Sequence, residues 1–268
     1  MSRIHASAVV ESGARIGRDV EIGPFCHIGP QVEINDGSML HSHVCVAGDT
    51  TIGARAKIFP FASLGHMPQD LKFRGEPVKL VIGDDCLIRE GVTMNPGTAG
   101  GGAATVIGDR CVFLANAHVA HDCKLGNDVV LSNNVMLAGH CTLGDFVIFS
   151  GGSAVHQFVR VGPHAFIGGL AGVENDVIPF GIVLGNRAAL AGLNFVGLKR
   201  RGFAHEQIHE LRRAYQTLFG PEGTLKDRTA ATAAAFPDAP HVKQVVAFLE
   251  AGGDRAICVP RTGRDEAA

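Results

Sequence analysis

The chain has 268 residues, with 24 Lys and Arg against 26 Asp and Glu, and a formal net charge of −2. A balance so near neutral supplies no basic footprint for nucleic acid, and the length allows one large domain or two modest ones. No apolar run of about 18 residues is present, and Met1-Ser-Arg-Ile-His5 lacks a signal-type apolar stretch. No stable membrane insertion and a cytoplasmic location are therefore expected.

From the start of the chain an apolar residue returns at every sixth position: Ile4, Val10, Ile16, Ile22 and onward to Leu64. The series resumes at Ile82, Ile88 and Met94, then runs unbroken from Ile107 through Phe113, Val119 and Leu125 to Val173. Four residues after each large apolar residue of the last run stands a small one, as at Cys111, Ala117, Cys123 and Val129. A helix would repeat near 3.6 and a half-buried strand at 2, so a period of six marks a repeat architecture. Each hexad reads as a short strand with a corner, its large and small residues pointing into a narrow core. Three hexads make one triangular coil, and coils stack as parallel strands about 4.8 Å apart. About 26 hexads give nearly nine coils and a prism roughly 40 Å long. The 35 glycines suit many corners, and the lack of Trp with a single Tyr suits a narrow core.

Two interruptions stand out. Between Leu64 and Ile82 the phase survives, but Asp70 and Glu76 fall where core residues belong. An unpaired charge is not tolerated there, so a first excursion at about 65–81 is expected, carrying Gln69, Asp70 and Lys72. Between Met94 and Ile107 the spacing exceeds one hexad by seven, around Gly100-Gly-Gly-Ala-Ala-Thr105, giving a second excursion at about 98–106. Of the seven cysteines, Cys26, Cys86, Cys111, Cys123 and Cys141 occupy the small inward position and read as packing. Cys45 and Cys258 fall outside that position and show no partner pattern.

After Val173 the period fades, and from about Asn194 the pattern becomes helical. Ile208, Leu211, Tyr215 and Leu218 share one face of a helix over 205–219, stopped by Gly220-Pro221. Thr224 caps a second helix over 225–236, and 241–250 makes a third with Val242, Val245 and Leu249 aligned. The expected organisation is a β-helix over 1–190 and a helical domain over 191–268 that covers the open last coil, whose strand edge is otherwise exposed. The last eight or so residues are expected to be disordered.

With about 18 residues per coil, positions can be stacked by arithmetic. Asp122 and His140 share a face in neighbouring coils, His121 lies over Gly139, and Gln157 follows one coil on. His118, His121, Asp122, His140, His156 and Gln157 thus form an outward polar patch. A neutral imidazole beside a carboxylate suits general-base chemistry on a hydroxyl, and the N–H of Gly139 suits an oxyanion. With no Ser or Cys nucleophile in the patch, this points to direct acyl transfer between two bound substrates. A three-histidine metal site is the rival chemistry, but no two patch histidines are a whole number of coils apart. No metal and no cofactor are expected.

At these residues the chain resembles the UDP-N-acetylglucosamine O-acyltransferase family. The resemblance rests on Asn116-Ala-His-Val-Ala-His-Asp-Cys123, Leu137-Ala-Gly-His140, Ala154-Val-His-Gln-Phe158 and Gly197-Leu-Lys-Arg-Arg-Gly-Phe203, and extends over essentially the whole chain. It implies a mainly β fold, a left-handed parallel β-helix of hexapeptide repeats with a C-terminal α-helical domain. It also implies a homotrimer with active sites between neighbouring prisms. The implied reaction moves an (R)-3-hydroxyacyl group from acyl carrier protein to the 3-hydroxyl of UDP-N-acetylglucosamine, the first step of lipid A biosynthesis. By the same resemblance His121 is the general base, Asp122 its polar neighbour and Gly139 the oxyanion donor. Gln69, Asp70 and Lys72 contact substrate from the first excursion, while His118, His140, His156 and Gln157 line the site. Asn194, Arg200 and Arg201 stand at the nucleotide end. Lys199 to Arg201 and Arg212-Arg213 offer cations to the acidic carrier protein. Gly169 stands at the acyl-length determinant, and its missing side chain leaves room for about 12–14 carbons.

The chain departs from the family pattern at Asn95-Pro-Gly-Thr98, where members often have His-Arg-Gly-Thr, at Arg187 in place of a His, and at Val196 in place of a Glu. Three other readings stand beside this one. They are an N-acyltransferase acting on an acylated UDP-glucosamine, a coenzyme A-dependent acetyltransferase, and a non-catalytic β-helical scaffold.

Overall fold

The computed structural model describes residues 1–261 of the chain. Parallel strands, mostly of two residues, assemble into three sheets of 11, 9 and 8 strands. Successive strands pass from one sheet to the next, so three strands complete one coil of a triangular prism. In the uninterrupted coils the register advances by one coil of 18, as between Arg3 and Glu21 or His118 and Met136.

Within each hexad the burial alternates. Ala117 and Val119 are fully buried while His118 between them faces outward, and after Ala120 the pair His121-Asp122 forms the corner. The second corner residue adopts a left-handed backbone, with φ of 61° at Asn116, 62° at Asp122 and 62° at His140. Asn and Asp accept that conformation more readily than most side chains, which accounts for their recurrence at corners. The core is one column of large and small apolar residues, with Phe113, Phe149 and Phe180 among its largest members. Cys26, Cys86, Cys111, Cys123, Cys141 and Cys258 are buried, and all seven cysteines are free thiols. Ile4, an expected core residue, is 47% exposed because no coil lies beneath the first.

Both excursions leave the 9-stranded sheet and return to the 8-stranded one, so both emerge at the same edge of the prism. The first follows Ser63–Leu64 and ends where Lys79–Ile82 pairs with Asp49–Ile52; the second follows Thr93–Met94 and ends where Ala104–Ile107 pairs with Lys79–Ile82. The first, 65–78, is therefore shorter than the expected 65–81, while the second, 95–103, has the expected length but begins and ends three residues before 98–106. The strands resume before the first apolar landmark of the next hexad, because Leu80 and Thr105 also point inward.

Four helices follow the prism: α1 (Phe195–Arg200), α2 (His205–Leu218), α3 (Leu225–Ala235) and α4 (Pro240–Glu250). Helix α1 was not expected, since six residues containing Gly197 show no periodicity; the Asn194 side chain caps it by accepting from the Gly197 N–H at 3.0 Å. Thr224 caps α3 as expected, in a reciprocal pair with Asp227. The strand edge of the last coil is met by extended segments, while α2 packs on the hairpin strand Ala189–Leu193 and Phe248 of α4 lies against Arg160. A hairpin of Gly181–Leu184 and Ala189–Leu193 extends the 11-stranded sheet, and the segment after α4 closes the edge near Asp176. There the Asp176 N–H donates to the Ala256 carbonyl at 2.7 Å and the Cys258 N–H to the Asp176 carbonyl at 2.8 Å. Backbone donors at an open coil need backbone acceptors in extended geometry, which a helix cannot supply. The expectation for the last eight residues falls almost wholly on 262–268, outside the described residues.

Candidate active site

The edge where both excursions emerge carries the corners His121-Asp122, Gly139-His140 and Gln157-Phe158. His121 Nδ1 lies 2.8 Å from Asp122 Oδ2. The Thr98 N–H donates to Asp122 Oδ1 at 2.8 Å, and the Thr98 hydroxyl lies 2.6 Å from Oδ2. The Asp122 N–H donates to the Thr105 hydroxyl at 2.8 Å. The expected outward patch therefore needs correction at Asp122. Its side chain leaves the core, yet it is fully buried because the second excursion closes over it.

His140 completes a compact group. Its Nε2 is 3.7 Å from Asp122 Oδ2, and its ring meets the His121 ring edge-on at 5.0 Å and stacks on Phe158 at 4.5 Å. Coil arithmetic kept His121 and His140 apart, but adjacent positions on neighbouring corners still bring their rings into contact. Burial holds the His140 imidazole below its usual range, opposed by Asp122 and Asp70 and reinforced by His121 and Lys72. Asp70 and Lys72 thus reach His140 electrostatically from the first excursion, where the Lys72 N–H donates to Asp70 Oδ1 at 3.0 Å; Gln69 beside them is exposed. His118, on the adjoining sheet face, shares a hydrogen bond of 2.7 Å with the Thr93 hydroxyl, and burial lowers its pKa.

Gly139 has a specific reason to lack a side chain. A Cβ there would lie 2.5 Å from His121 Cε1 and 2.7 Å from its Nε2, so the imidazole occupies that space. His156 and Gln157 meet a residue not singled out from the sequence: Arg255 lies 2.6 Å from His156 Nδ1 and donates to the Gln157 carbonyl at 3.0 Å. Thr98, Thr105 and Gly101 were likewise missed. The insertion of seven residues breaks the register that placed the other groups, so no spacing rule connects them to Asp122.

Other expected site residues lie elsewhere on the same prism. Asn194 and Arg201 sit beside the corners of Phe146 and His164, on a second edge. Asn194 caps α1 and donates to the His164 carbonyl at 3.0 Å, while Arg201 donates to the Phe146 carbonyl at 3.0 Å and lies over its ring. Arg200 is exposed. Gly169 lies on the third edge, where a Cβ would meet only the Gly151 carbonyl at 3.6 Å and Ser150 at 3.9 Å. Arg187, Arg212 and Arg213 are exposed, as is Val196. The Asn95 amide donates to the carbonyl of His66 at 3.2 Å and so anchors the first excursion. A cavity of about 680 Å³ lies beneath that excursion, lined by Gly48, His66, Phe73 and Lys79 among others.

His121, Asp122 and His140 offer ligand atoms within 4.8 Å of one another, a spacing that a cation could bridge. The Asp122 oxygens, however, are already engaged by Thr98 and His121, and a cation would have to displace those partners.

Comparison with known proteins decides the family. A sequence model described as UDP-N-acetylglucosamine O-acyltransferase, domain 2, matches residues 176–258, and one for bacterial transferase hexapeptide repeats matches 13–48 and 104–139. The acyl-[acyl-carrier-protein]–UDP-N-acetylglucosamine O-acyltransferase of Methylobacterium radiotolerans is 63% identical, over 96% of this chain and 95% of its own. That of Sinorhizobium fredii is 52% identical over 98% and 97%. The chain belongs to the UDP-N-acetylglucosamine O-acyltransferase family. The solved structure of the UDP-N-acetylglucosamine acyltransferase from Campylobacter jejuni superposes with a TM-score of 0.91 at 38% identity, covering 97% of this chain and all of the other. This chain is accordingly an acyltransferase with the mainly β, left-handed β-helix of that family. Among the described residues no helix is long and apolar enough to cross a membrane.

Proposed function

We propose that the chain transfers an (R)-3-hydroxyacyl group from acyl carrier protein to the 3-hydroxyl of UDP-N-acetylglucosamine, the first step of lipid A biosynthesis, with His121 as general base. The observation that carries this reading is the set of partners around Asp122. An ionised carboxylate can only accept, so His121 Nδ1 donates the proton in their 2.8 Å contact. The neutral ring then has Nε2 as its free acceptor, the tautomer a base requires. Nε2 takes the proton of the sugar hydroxyl as its oxygen attacks the thioester carbonyl carbon. The resulting imidazolium is stabilised by Asp122 and returns the proton to the sulfur as the C–S bond breaks. The N–H of Gly139 has no backbone acceptor among the described residues and suits the oxyanion of the intermediate.

The separation of the expected site residues over three edges supports a homotrimer. One prism cannot bring Arg201 and Gly169 to its own His121, whereas neighbouring prisms can bring different edges together. Asn194, Arg200 and Arg201 then serve the nucleotide of a neighbour's site, where guanidinium groups suit phosphate. Gly169 leaves room for an acyl chain of about 12–14 carbons. The cytoplasmic location expected from the sequence is part of the same reading.

The test is product analysis by mass spectrometry with UDP-N-acetylglucosamine and (R)-3-hydroxyacyl carrier proteins of graded length. A mono-acylated sugar nucleotide is the expected product, and His121→Ala is expected to cut turnover by about 10²–10⁴ while assembly is retained. Wild-type turnover in that variant sinks the base assignment. Binding of neither substrate sinks the activity and favours a scaffold.

A further inference from the structure

The repeat places His121 and Asp122 at a corner but does not hold the carboxylate still. The second excursion does. Thr98 is 6% exposed, and both its N–H and its hydroxyl reach the two oxygens of Asp122, at 2.8 and 2.6 Å. Its hydroxyl accepts no cap from the short 3-10 turn Ala99–Gly101 that it precedes, and its O–H is directed to the carboxylate. The Thr98 carbonyl in turn accepts from the N–H of Gly101 at 3.1 Å and of Ala103 at 2.9 Å, which closes the excursion on itself. A Cβ on Gly101 would overlap the Asp122 carboxyl group. Thr105, at the far end, accepts from the Asp122 N–H at 2.8 Å. One segment thus grips a single acidic residue by its side chain and its backbone.

We propose that Thr98 is a positioning residue for the transfer reaction, fixing Asp122 so that His121 keeps its Nε2 free for the attacking hydroxyl, and that Gly101 is required for the segment to close over that carboxylate. This rests on the reading of His121 as the base. The physical argument is one of rotamer and charge. A carboxylate in a left-handed corner with only one partner can turn toward His140, whose Nε2 is already 3.7 Å away. Two donors from Thr98 remove that freedom and leave Oδ2 oriented to His121 Nδ1. The same donors share the negative charge, so His121 meets a weaker anion than it would without them. His118 and His140 from the prism, and Asp70 and Lys72 from the first excursion, complete the titratable surroundings.

The experiment uses the full-length enzyme, with acyl carrier protein thioester and UDP-N-acetylglucosamine, and compares Thr98→Val, Thr98→Ser, Gly101→Ala and His121→Ala across pH. Thr98→Val is expected to lower kcat about 10- to 100-fold, the order of one lost hydrogen bond to a charged group. Both KM values are expected to stay within about threefold, because nothing touching substrate is removed. The acidic limb of kcat/KM is expected to move to higher pH, since a carboxylate with fewer donors favours the imidazolium. Thr98→Ser keeps both donors and is expected to restore rate and profile. Gly101→Ala, which presses on the same carboxylate from the other side, is expected to reproduce the loss. It provides an independent variant should Thr98→Val fail to assemble. Wild-type kcat and an unmoved limb in Thr98→Val or in Gly101→Ala, with His121→Ala inactive, overturn the role of this segment and leave the base in place. An active His121→Ala overturns the base itself.

Discussion

His140 and His164 occupy equivalent corners on two edges of the prism, and they have opposite fates. Both adopt a left-handed backbone, with φ of 62° and 60°, and both stack nearly parallel on a phenylalanine one coil further on, Phe158 and Phe180. His140 keeps Asp122 at 3.7 Å and a second histidine against its edge. His164 is packed between Phe146 and Phe180 and faces Phe203, with Arg201 and His241 as titratable neighbours that lower its pKa and Asp145 opposing them. Burial, then Arg201, then His241 push its pKa down to about 4, and its buried Nδ1 has no partner among the described residues. The lesson is that the repeat supplies positions and the segments outside it supply chemistry. At one edge an excursion holds a carboxylate in reach; at the other, α1 and its neighbours bring a guanidinium and aromatic rings.

The largest effect is expected at Asp122. Asp122→Asn keeps the shape but can present an amide donor to His121 and lose the tautomer control, so kcat is expected to fall by roughly 10²–10⁴ in steady-state assays. A loss below about tenfold would falsify the dyad. Gly139→Ala comes next: its Cβ displaces the His121 ring by steric contact alone, and about a 10- to 100-fold loss of kcat is expected without loss of folding, read as activity against melting temperature.

At the other edge the expected effect is on stability and has a defined sign. His164 has its folded pKa lowered toward about 4, so the folded state prefers the neutral ring. The associated stability is full above the unfolded value near 6.5 and is lost as pH falls through about 6.5 to 4. His164→Phe keeps the stack and removes the proton. It is expected to retain about 1–2 kcal/mol more stability than the parent at the acid end of that window, a figure reduced for partial solvent screening, with little change near pH 8. Denaturant melts at the two pH values check this, and His241, also lowered by burial, contributes in the same direction. The smallest effect belongs to Asn194→Ala, which removes the α1 cap and its bond to the His164 carbonyl; about 1 kcal/mol of stability is expected to be lost in the same melts.

The sequence by itself determined the architecture, because a period of six with two phased inward positions admits one kind of packing and recurs often enough to be unmistakable. It also determined which polar residues share one edge of the prism, since Asp122 and His140 or His121 and Gly139 are related by whole coils in an uninterrupted stretch. Helices α2, α3 and α4 were legible from their apolar faces, the Thr224 cap and their Gly and Pro stops. The remaining contacts arise where the register breaks or the chain returns from afar. The burial of Asp122, and the roles of Thr98, Gly101 and Thr105, follow from an excursion whose seven extra residues erase the arithmetic. The closure of the last coil by residues 256–259, the Arg255 contact with His156, and the depression of His164 come from contacts between residues far apart in the chain. A repeating pattern encodes neighbours one coil away; it carries no information about which distant segment will fold back to satisfy an open edge or cover a carboxylate.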